Sequence, residues 1–513
     1  MDILALLRSF YPDMDIRPVV PESRDDIKAA AISSGYFFSV RVFDDGKAET
    51  IFDGKKISFT PVSSSPSDFT AYKKELCRML YGIFTDDTGR NLPWGMMNGV
   101  RPTKPAFICV LAGRGKSEAV SYYKEEYLVS DEKINTSWDI AMTEVQVLSG
   151  CEHRELSMPG DEKGYLAGYS LYIGIPFCPS RCLYCSFTSY PLSAFKDGGE
   201  EYVEALLKEM KECRDIFPGR APDSAYMGGG TPTALSAYQL DRIISAAEDM
   251  YFTGPHMEFT VEAGRADSIT EEKLKVLKKH GISRISVNPQ TFNQKTLDLI
   301  GRKATAEETV RAFHLARDLG FDNINMDIIL GLPGEGEEEI RHTMDVILGL
   351  KPDSLTVHSL ALKRASAMGE WIEKHGHEKI INTRAIQDIA KEGAELIGLK
   401  PYYLYRQKDM SGGFENVGYS LPGKECIYNV AMMEEVQSIL AFGAGTITKK
   451  VERGGGLAVP KSVKSGEGPL GDLIRENTVL NTDIKRCENY KDVREYLNGL
   501  PELIKRKREL WNI

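Results

Sequence analysis

The chain has 513 residues, too many for one ordinary core and enough for about two to four domains that each bury an apolar interior. Its 64 Lys and Arg against 74 Asp and Glu give a formal charge of −10, which excludes a broad cationic face for nucleic acid. Nine cysteines are an odd number, and six of them stand apart as Cys77, Cys109, Cys151, Cys213, Cys426 and Cys487, which excludes a disulfide framework and fits a reducing, cytoplasmic compartment.

The opening MDILALLRSFYPDMDIRPVV lacks the basic start, unbroken apolar stretch and small-residue cleavage site of an export signal. No apolar run approaches the roughly 20 residues that span a bilayer, so no membrane span is expected. Residues 1–165 read as an N-terminal α+β accessory domain. GYFFSVRVF and AETIFDGKKISF are β-rich runs separated by the hairpin signal Asp45-Gly46, and AYKKELCRMLYGIF has helical spacing. The turn-rich LPWGMMNGVRPTKP at 92–105 reads either as a docking loop or, with more weight, as a structural one.

From Leu171 the chain becomes rhythmic, and residues 166–365 form a second region. The apolar runs LYIGIPF, SAYMGGG, EFTVEAG, RISVNPQ, NINMDIILGLP and SLTVHSLAL alternate with stretches of helical period. Val203, Leu206, Leu207 and Met210 line one helical stripe, and Val310, Phe313 and Ala316 another. Six βα units fall short of a closed barrel of eight, so the expected fold is α/β, an open partial barrel or a doubly wound sheet. Both place function at the C-terminal ends of strands. Residues 366–513 fade into a mixed region that covers the open mouth, with a Gly-rich loop at 451–471.

The segment LYIGIPFCPSRCLYCSF sets Cys178, Cys182 and Cys185 in C-x3-C-x2-C spacing just after the first of these strands. Three thiolates on one loop suit three irons of a 4Fe-4S cubane and leave the fourth open. Zinc and a chance run of cysteines are the alternatives, although no later ligand pair completes a zinc site.

This spacing, with Tyr184 before the last cysteine, resembles the radical S-adenosylmethionine superfamily. YxxIPFC, GGGTPT, TVE, NPQTFN, MDIILGLP and GAGT then occur in the order found in the oxygen-independent coproporphyrinogen dehydrogenases and their haem-chaperone relatives. The long N-terminal extension and PYYLYRQKDMSGGFENVGY resemble the HemZ-type branch. The resemblance implies a partial (βα)6 barrel, and a cluster on the three cysteines whose open iron chelates S-adenosylmethionine. Reductive cleavage then yields a 5′-deoxyadenosyl radical that abstracts hydrogen, with electrons from a flavodoxin- or ferredoxin-type donor of low potential.

The same resemblance implies cofactor contacts from Tyr172, Phe187, Gly228, Gly229, Gly230, Thr231, Glu262, Gln290, Arg302 and Asp327. Glycines let backbone approach a ligand, Arg302 offers a planar fork to a carboxylate, and Glu262, Gln290 and Asp327 suit ribose or amino groups. Taken singly, each polar residue reads more simply as surface or cap, and Tyr172 as core. Their placement at successive strand ends favours a site.

The implied activity is oxidative decarboxylation of coproporphyrinogen III, with haem carriage, or radical chemistry on haem itself, as alternatives. Arg406 and Lys408 then offer cations to propionates, between tyrosines that face a tetrapyrrole; an ordinary solvated strand is an equal reading. Two positions depart from the decarboxylating members, which carry His where this chain has Gly174 and a fourth Cys where it has Phe187.

Overall fold

The computed structural model describes residues 3–11, 14, 16, 38–42, 47–52, 55–60, 69–149, 168–187, 189–252, 258–363, 366–407, 410–453 and 482–513. The chain divides into two compact units, one of residues 1–99 and 120–135, the other of residues 100–119 and 136–513.

In the smaller unit, helix α1 (Ile3–Phe10) presents Leu6, Leu7 and Phe10 to helix α2 (Phe69–Thr88), which answers with Leu76, Leu80 and Phe84. A three-stranded antiparallel sheet, β1 (Phe38–Val42), β2 (Ala48–Phe52) and β3 (Lys55–Phe59), completes this core through Ala48 and Phe52. Val42 pairs with Ala48 across the expected hairpin, whose turn residues Asp45 and Gly46 lie outside the described residues. The run AETIFDGKKISF is two strands rather than one, because Phe52 pairs back onto Lys55. Trp94, Met96 and Met97 are buried, which gives this half of the turn-rich loop a packing role. Three helices follow: α3 (Lys104–Leu111), α4 (Lys116–Tyr127) and α5 (Asp131–Ser149).

The larger unit is built on an eleven-stranded sheet. Strand β4 (Tyr169–Ile175) is followed by a short parallel pair, β5 (Phe177–Cys178) and β6 (Tyr190–Pro191), and then by α6 (Glu200–Glu212). Next come β7 (Ser224–Gly229), α7 (Ala237–Tyr251), β8 (Glu258–Gly264), α8 (Glu271–Lys279) and β9 (Arg284–Val287). The short α9 (Gln294–Leu299) precedes α10 (Ala306–Asp318), β10 (Ile324–Leu330), α11 (Glu337–Leu350) and β11 (Ser354–Ser359). Strands β4, β7, β8, β9, β10 and β11 are parallel neighbours in chain order, so the winding never reverses as it does in a doubly wound sheet.

Beyond β11 lie α12 (Met368–His375), α13 (Arg384–Ile397), β12 (Lys400–Tyr405), β13 (Asn416–Ser420) and α14 (Ile427–Glu434). Then β14 (Ser438–Phe442), β15 (Ile447–Arg453), β16 (Thr482–Glu488) and α15 (Val493–Leu510) end the chain. Strand β14 adds a seventh parallel member against the free edge of β4. Antiparallel strands extend both edges, β13 and β12 beyond β11, β15 and β16 beyond β14. Most of the 451–471 loop lies outside the described residues.

Alternation along the strands splits the sheet into two chemical faces. Leu171, Ile173, Ile175, Ala225 and Met227 are fully buried on the helix-covered side, where α6 contributes Val203, Leu206 and Met210, with Leu207 only partly buried. The opposite face carries Ser170, Tyr172 and Gly174 in register with Ser224, Tyr226 and Gly228. Capping boxes at Ser236 with Gln239 and Thr305 with Glu308 start α7 and α10 cleanly, which fixes where the strand-end loops stop.

Candidate active site at the strand ends

The cysteine loop leaves the C-terminal end of β4. Cys182 is buried, Cys178 and Cys185 are half-buried, and all three are free thiols. The loop is latched from several sides. Leu183 N–H bonds to the Ile300 carbonyl (3.0 Å), Ser180 Oγ donates to the Gly301 carbonyl (3.2 Å), and Leu183 and Tyr184 pack on an apolar cluster around Ile300, Ile329 and Leu332. Arg265, ion-paired with Asp267 at 2.6 Å, donates to the Ser180 carbonyl (2.9 Å) and to Cys182 Sγ (3.6 Å). The sequence offered one signal for Arg265, its position three residues after Glu262.

Burial pushes the Cys178 and Cys185 thiols up, and neighbouring thiolates of the same loop add to it. Thr231 Oγ1, 3.5 Å from Cys178 Sγ, works the other way. Among the described residues no three His, Cys, Asp or Glu side chains converge on one metal ion. A cubane does not require that, since each cysteine binds a different iron. The donor set, three free thiols on one loop with a guanidinium alongside, fits such a cluster.

The glycine strip closes against this loop. Gly230 N–H bonds to the Ile175 carbonyl and Thr231 N–H to the Phe177 carbonyl, both at 2.7 Å. A Cβ on Gly230 would sit 2.5 Å from the Phe177 oxygen, and one on Gly228 2.8 Å from Glu262 Cδ. Gly229 has φ +108°, a conformation L side chains rarely adopt. The three glycines are thus demanded by close approach of backbone and carboxylate.

Glu262, half-buried at the end of β8, accepts a 2.6 Å hydrogen bond from the Tyr226 hydroxyl. Burial raises its carboxyl to about 7, the Tyr226 bond opposes this, and the charge of Asp327 adds to it. Asp327 on β10 accepts from Asn325 Nδ2 at 2.7 Å and lies 4.0 Å from His358 Nε2 on β11. Gln290 is buried three residues beyond β9 with φ +67°, its N–H on the Asp327 carbonyl and its carbonyl taking Ile329 N–H, each at 2.9 Å. A strained, buried, non-glycine residue between two strand ends is a feature of functional loops.

Arg302 donates to the Asn288 carbonyl (3.1 Å) and to Tyr184 OH (3.2 Å), while its buried Nε has no partner among the described residues. That orphan donor beside the cysteine loop is the atom an incoming carboxylate would satisfy. Tyr172 stacks with Tyr226 and Tyr428, the latter carried by α14. Phe187 is 66% exposed.

The structure therefore groups Tyr172, Gly228, Glu262 and Asp327 on one face, joins Thr231 to Cys178, and ties Arg302 to the cysteine loop through Tyr184. Tyr226, Tyr428, Arg265 and His358 belong with them and were not singled out from sequence. Tyr226 had a signal, since period two places it on the face of Gly228. A Cβ at Gly174 would lie 2.4 Å from Thr446 Cγ2, so the space above β4 is filled by the GAGT turn. Arg406 follows β12 directly, with its N–H on the Val100 carbonyl and its Nη2 3.2 Å from the Gly413 carbonyl; Lys408 lies outside the described residues. Tyr405, stacked on Tyr403, is pushed up to about 12 by burial and the Asp327 charge, which brings this aromatic strand to the site.

The sequence pattern of the Radical SAM superfamily matches residues 172–347. The chain is 39% identical to the oxygen-independent coproporphyrinogen-III oxidase-like protein HemZ of Bacillus subtilis, over 89% of this chain and 90% of that protein. It is 35% identical to the B. subtilis haem chaperone HemW over 40% of this chain and 54% of that one. Among solved structures, the coproporphyrinogen III oxidase HemN of Escherichia coli, a radical SAM enzyme, aligns with TM-score 0.49 and 22% identity, covering 65% of this chain and 69% of that one. With the HemZ likeness running through both units, the chain belongs to the radical SAM superfamily, in the family of HemZ-like oxygen-independent coproporphyrinogen oxidase relatives.

Proposed function

We propose that this protein is a radical S-adenosylmethionine enzyme that oxidatively decarboxylates coproporphyrinogen III to protoporphyrinogen IX without oxygen. The observation that carries the reading is the 39% identity with the HemZ-like protein along 89% of the chain. Cys178, Cys182 and Cys185 hold the 4Fe-4S cluster, and Arg265 and Thr231 steady two of the sulfurs. Bound S-adenosylmethionine supplies, on reduction by a low-potential donor, the hydrogen-abstracting chemistry of the superfamily. Arg302 would receive its carboxylate through Nε, the glycine strip would let it lie close to backbone, and Glu262 and Asp327 would take its amino and hydroxyl groups. Tyr172, Tyr226 and Tyr428 stack beside Glu262 and would shield that side of the site from water.

A second reading, a haem chaperone on the same scaffold, draws on the HemW match and on Gly174 and Phe187, where the decarboxylating members differ. One experiment separates them. Reconstituted protein, incubated anaerobically with coproporphyrinogen III, reductant and S-adenosylmethionine, is expected to form vinyl products and to consume S-adenosylmethionine in proportion. Absence of any vinyl product, together with tight haem binding and transfer, would replace the enzyme reading by the chaperone.

A further inference from the structure

Burial and the Asp327 carboxylate on β10 disfavour the charge of Glu262, while Arg284 on β9 and the Gly229 N–H favour the anion; the Glu262 charge in turn pushes up the neighbouring phenols of Tyr172 on β4 and Tyr428 on α14. The side-chain donor Glu262 has is Tyr226, at 2.6 Å from Oε1. Tyr226 is itself held unusually firmly. Its ring stacks on Tyr428 at 4.8 Å and 28° and on Tyr172 at 6.0 Å and 10°, and those two stack on each other at 5.8 Å.

Tyr428 is fixed in turn at the first turn of α14, where the Glu258 carboxylate accepts Ile427 N–H (2.8 Å) and Tyr428 N–H (3.2 Å). A hydroxyl locked by a ring stack is a preorganised donor, which holds an acceptor in one orientation at little entropic cost. The sheet register supports the same conclusion, since Tyr226 and Gly228 are two apart on β7 and a Cβ at Gly228 would strike Glu262. One short strand segment thus supplies both the clearance for the carboxylate and the donor that aims it.

We propose that Tyr226 is a positioning residue, which orients the Glu262 carboxylate toward S-adenosylmethionine. This rests on the reading that Glu262 meets that cofactor. Burial already brings the Glu262 carboxyl to about 7 with the Tyr226 bond in place, so loss of the donor moves its ionisation to higher pH.

The test measures S-adenosylmethionine binding to the anaerobically reconstituted full chain by equilibrium dialysis, from about pH 6 to pH 9. Wild-type affinity is expected to rise with pH and level off above about 7 as Glu262 ionises. Tyr226→Phe keeps the ring stack. It is expected to retain the wild-type iron content, to lose about tenfold in affinity at neutral pH, and to show its rise at higher pH. Glu262→Gln should bind with a flat pH profile, and Tyr226→Phe added to it should change nothing further.

Wild-type affinity and pH profile in Tyr226→Phe, with binding lost in Glu262→Ala, would overturn the role of Tyr226 alone. An undiminished effect of Tyr226→Phe in the Glu262→Gln background would do the same, because a purely structural tyrosine acts without the carboxylate. Unchanged binding in Glu262→Ala would overturn the Glu262 reading and the Tyr226 role with it.

Discussion

Two glutamates in the larger unit show how differently the same side chain is used. Glu209, on α6, is fully buried and saturated: it accepts from Gly443 N–H (2.8 Å), Asn489 Nδ2 (3.0 Å), Tyr496 OH (2.7 Å) and the buried Lys507 ammonium. Glu262, at the strand ends, has one side-chain donor among the described residues, a carboxylate neighbour and partial exposure. Burial without compensation is costly, so a charge is kept inside only where donors or a task require it. The Glu209 network joins α6, the GAGT turn and α15, a role in holding elements together. Glu262, with fewer protein donors and a raised carboxyl, stands at the strand ends, where α/β folds concentrate their ligand contacts.

Variants of the mouth should therefore lose chemistry, and variants of the Glu209 network should lose stability. The largest effect expected is total: replacing Cys178, Cys182 and Cys185 together by Ala removes the cluster absorption and takes iron from about four per chain to background. Retention of about four irons would refute the ligand assignment. Next comes Lys507→Met, which strands Glu209 as a buried charge without its cation. Breaking a buried pair costs about 3–5 kcal/mol, read as a lower urea midpoint at unchanged slope. Protein still folded at low temperature should take up iron normally. A midpoint within error of wild type would show that the remaining donors of Glu209 suffice without the lysine.

The two regions were unequally legible in the sequence. The six strands β4, β7, β8, β9, β10 and β11 announced themselves because each short apolar run was followed by a helical stripe. Strand β14 was missed because SILAF follows a region without that rhythm, and its partner β4 lies some 270 residues earlier. The residues expected at the mouth were those embedded in glycine- and cysteine-rich turns, which stand out against helical or strand periodicity. Tyr226 and Tyr428 did not, because a tyrosine in a strand or a helix start looks like core packing until its partner is known. Lys507 sits in KRKREL, a charge run that reads as a solvated face, and tertiary packing places it beside Glu209 instead.

At the mouth, single substitutions should cost less than loss of the cluster and leave it in place. On the proposed function, Glu262→Ala, Arg302→Ala and Asp327→Ala should each cost one charge-assisted hydrogen bond to the cofactor, about 1.5–3 kcal/mol, or roughly ten- to hundredfold in S-adenosylmethionine affinity. Equilibrium dialysis beside an iron assay checks both halves of this expectation. Unchanged affinity in all three variants would remove these residues from the cofactor site. Arg302→Ala has a second readout, because its bond to Tyr184 anchors the loop between Cys182 and Cys185. Its cluster should survive reconstitution but oxidise faster in air than those of the other two.

The smallest effect is expected where the two regions touch. Asp492 caps α15, its Oδ1 accepting Arg494 N–H (2.9 Å) and Glu495 N–H (3.1 Å), and its Oδ2 accepts the Tyr190 hydroxyl at 2.8 Å. Tyr190 pairs with Phe177 next to Cys178, so this half-buried residue links α15 to the cysteine loop. The Tyr190 bond, then the Glu495 N–H, holds the Asp492 carboxyl below its usual value of 3.8. A depressed carboxyl contributes stability that is fully present above its unfolded pKa and is lost as pH falls through the folded one. Asp492→Ala should cost about 1 kcal/mol at neutral pH, the typical value of a cap, without changing iron content. The gap from wild type in urea denaturation should narrow as pH falls below about 4, since acid removes from wild type what the mutation has already removed. Asp492→Asn should keep most of the cap while showing the weaker acid dependence. A gap between Asp492→Ala and wild type that stays constant with pH would mean that backbone geometry, rather than the ionised carboxylate, secures this end of the helix.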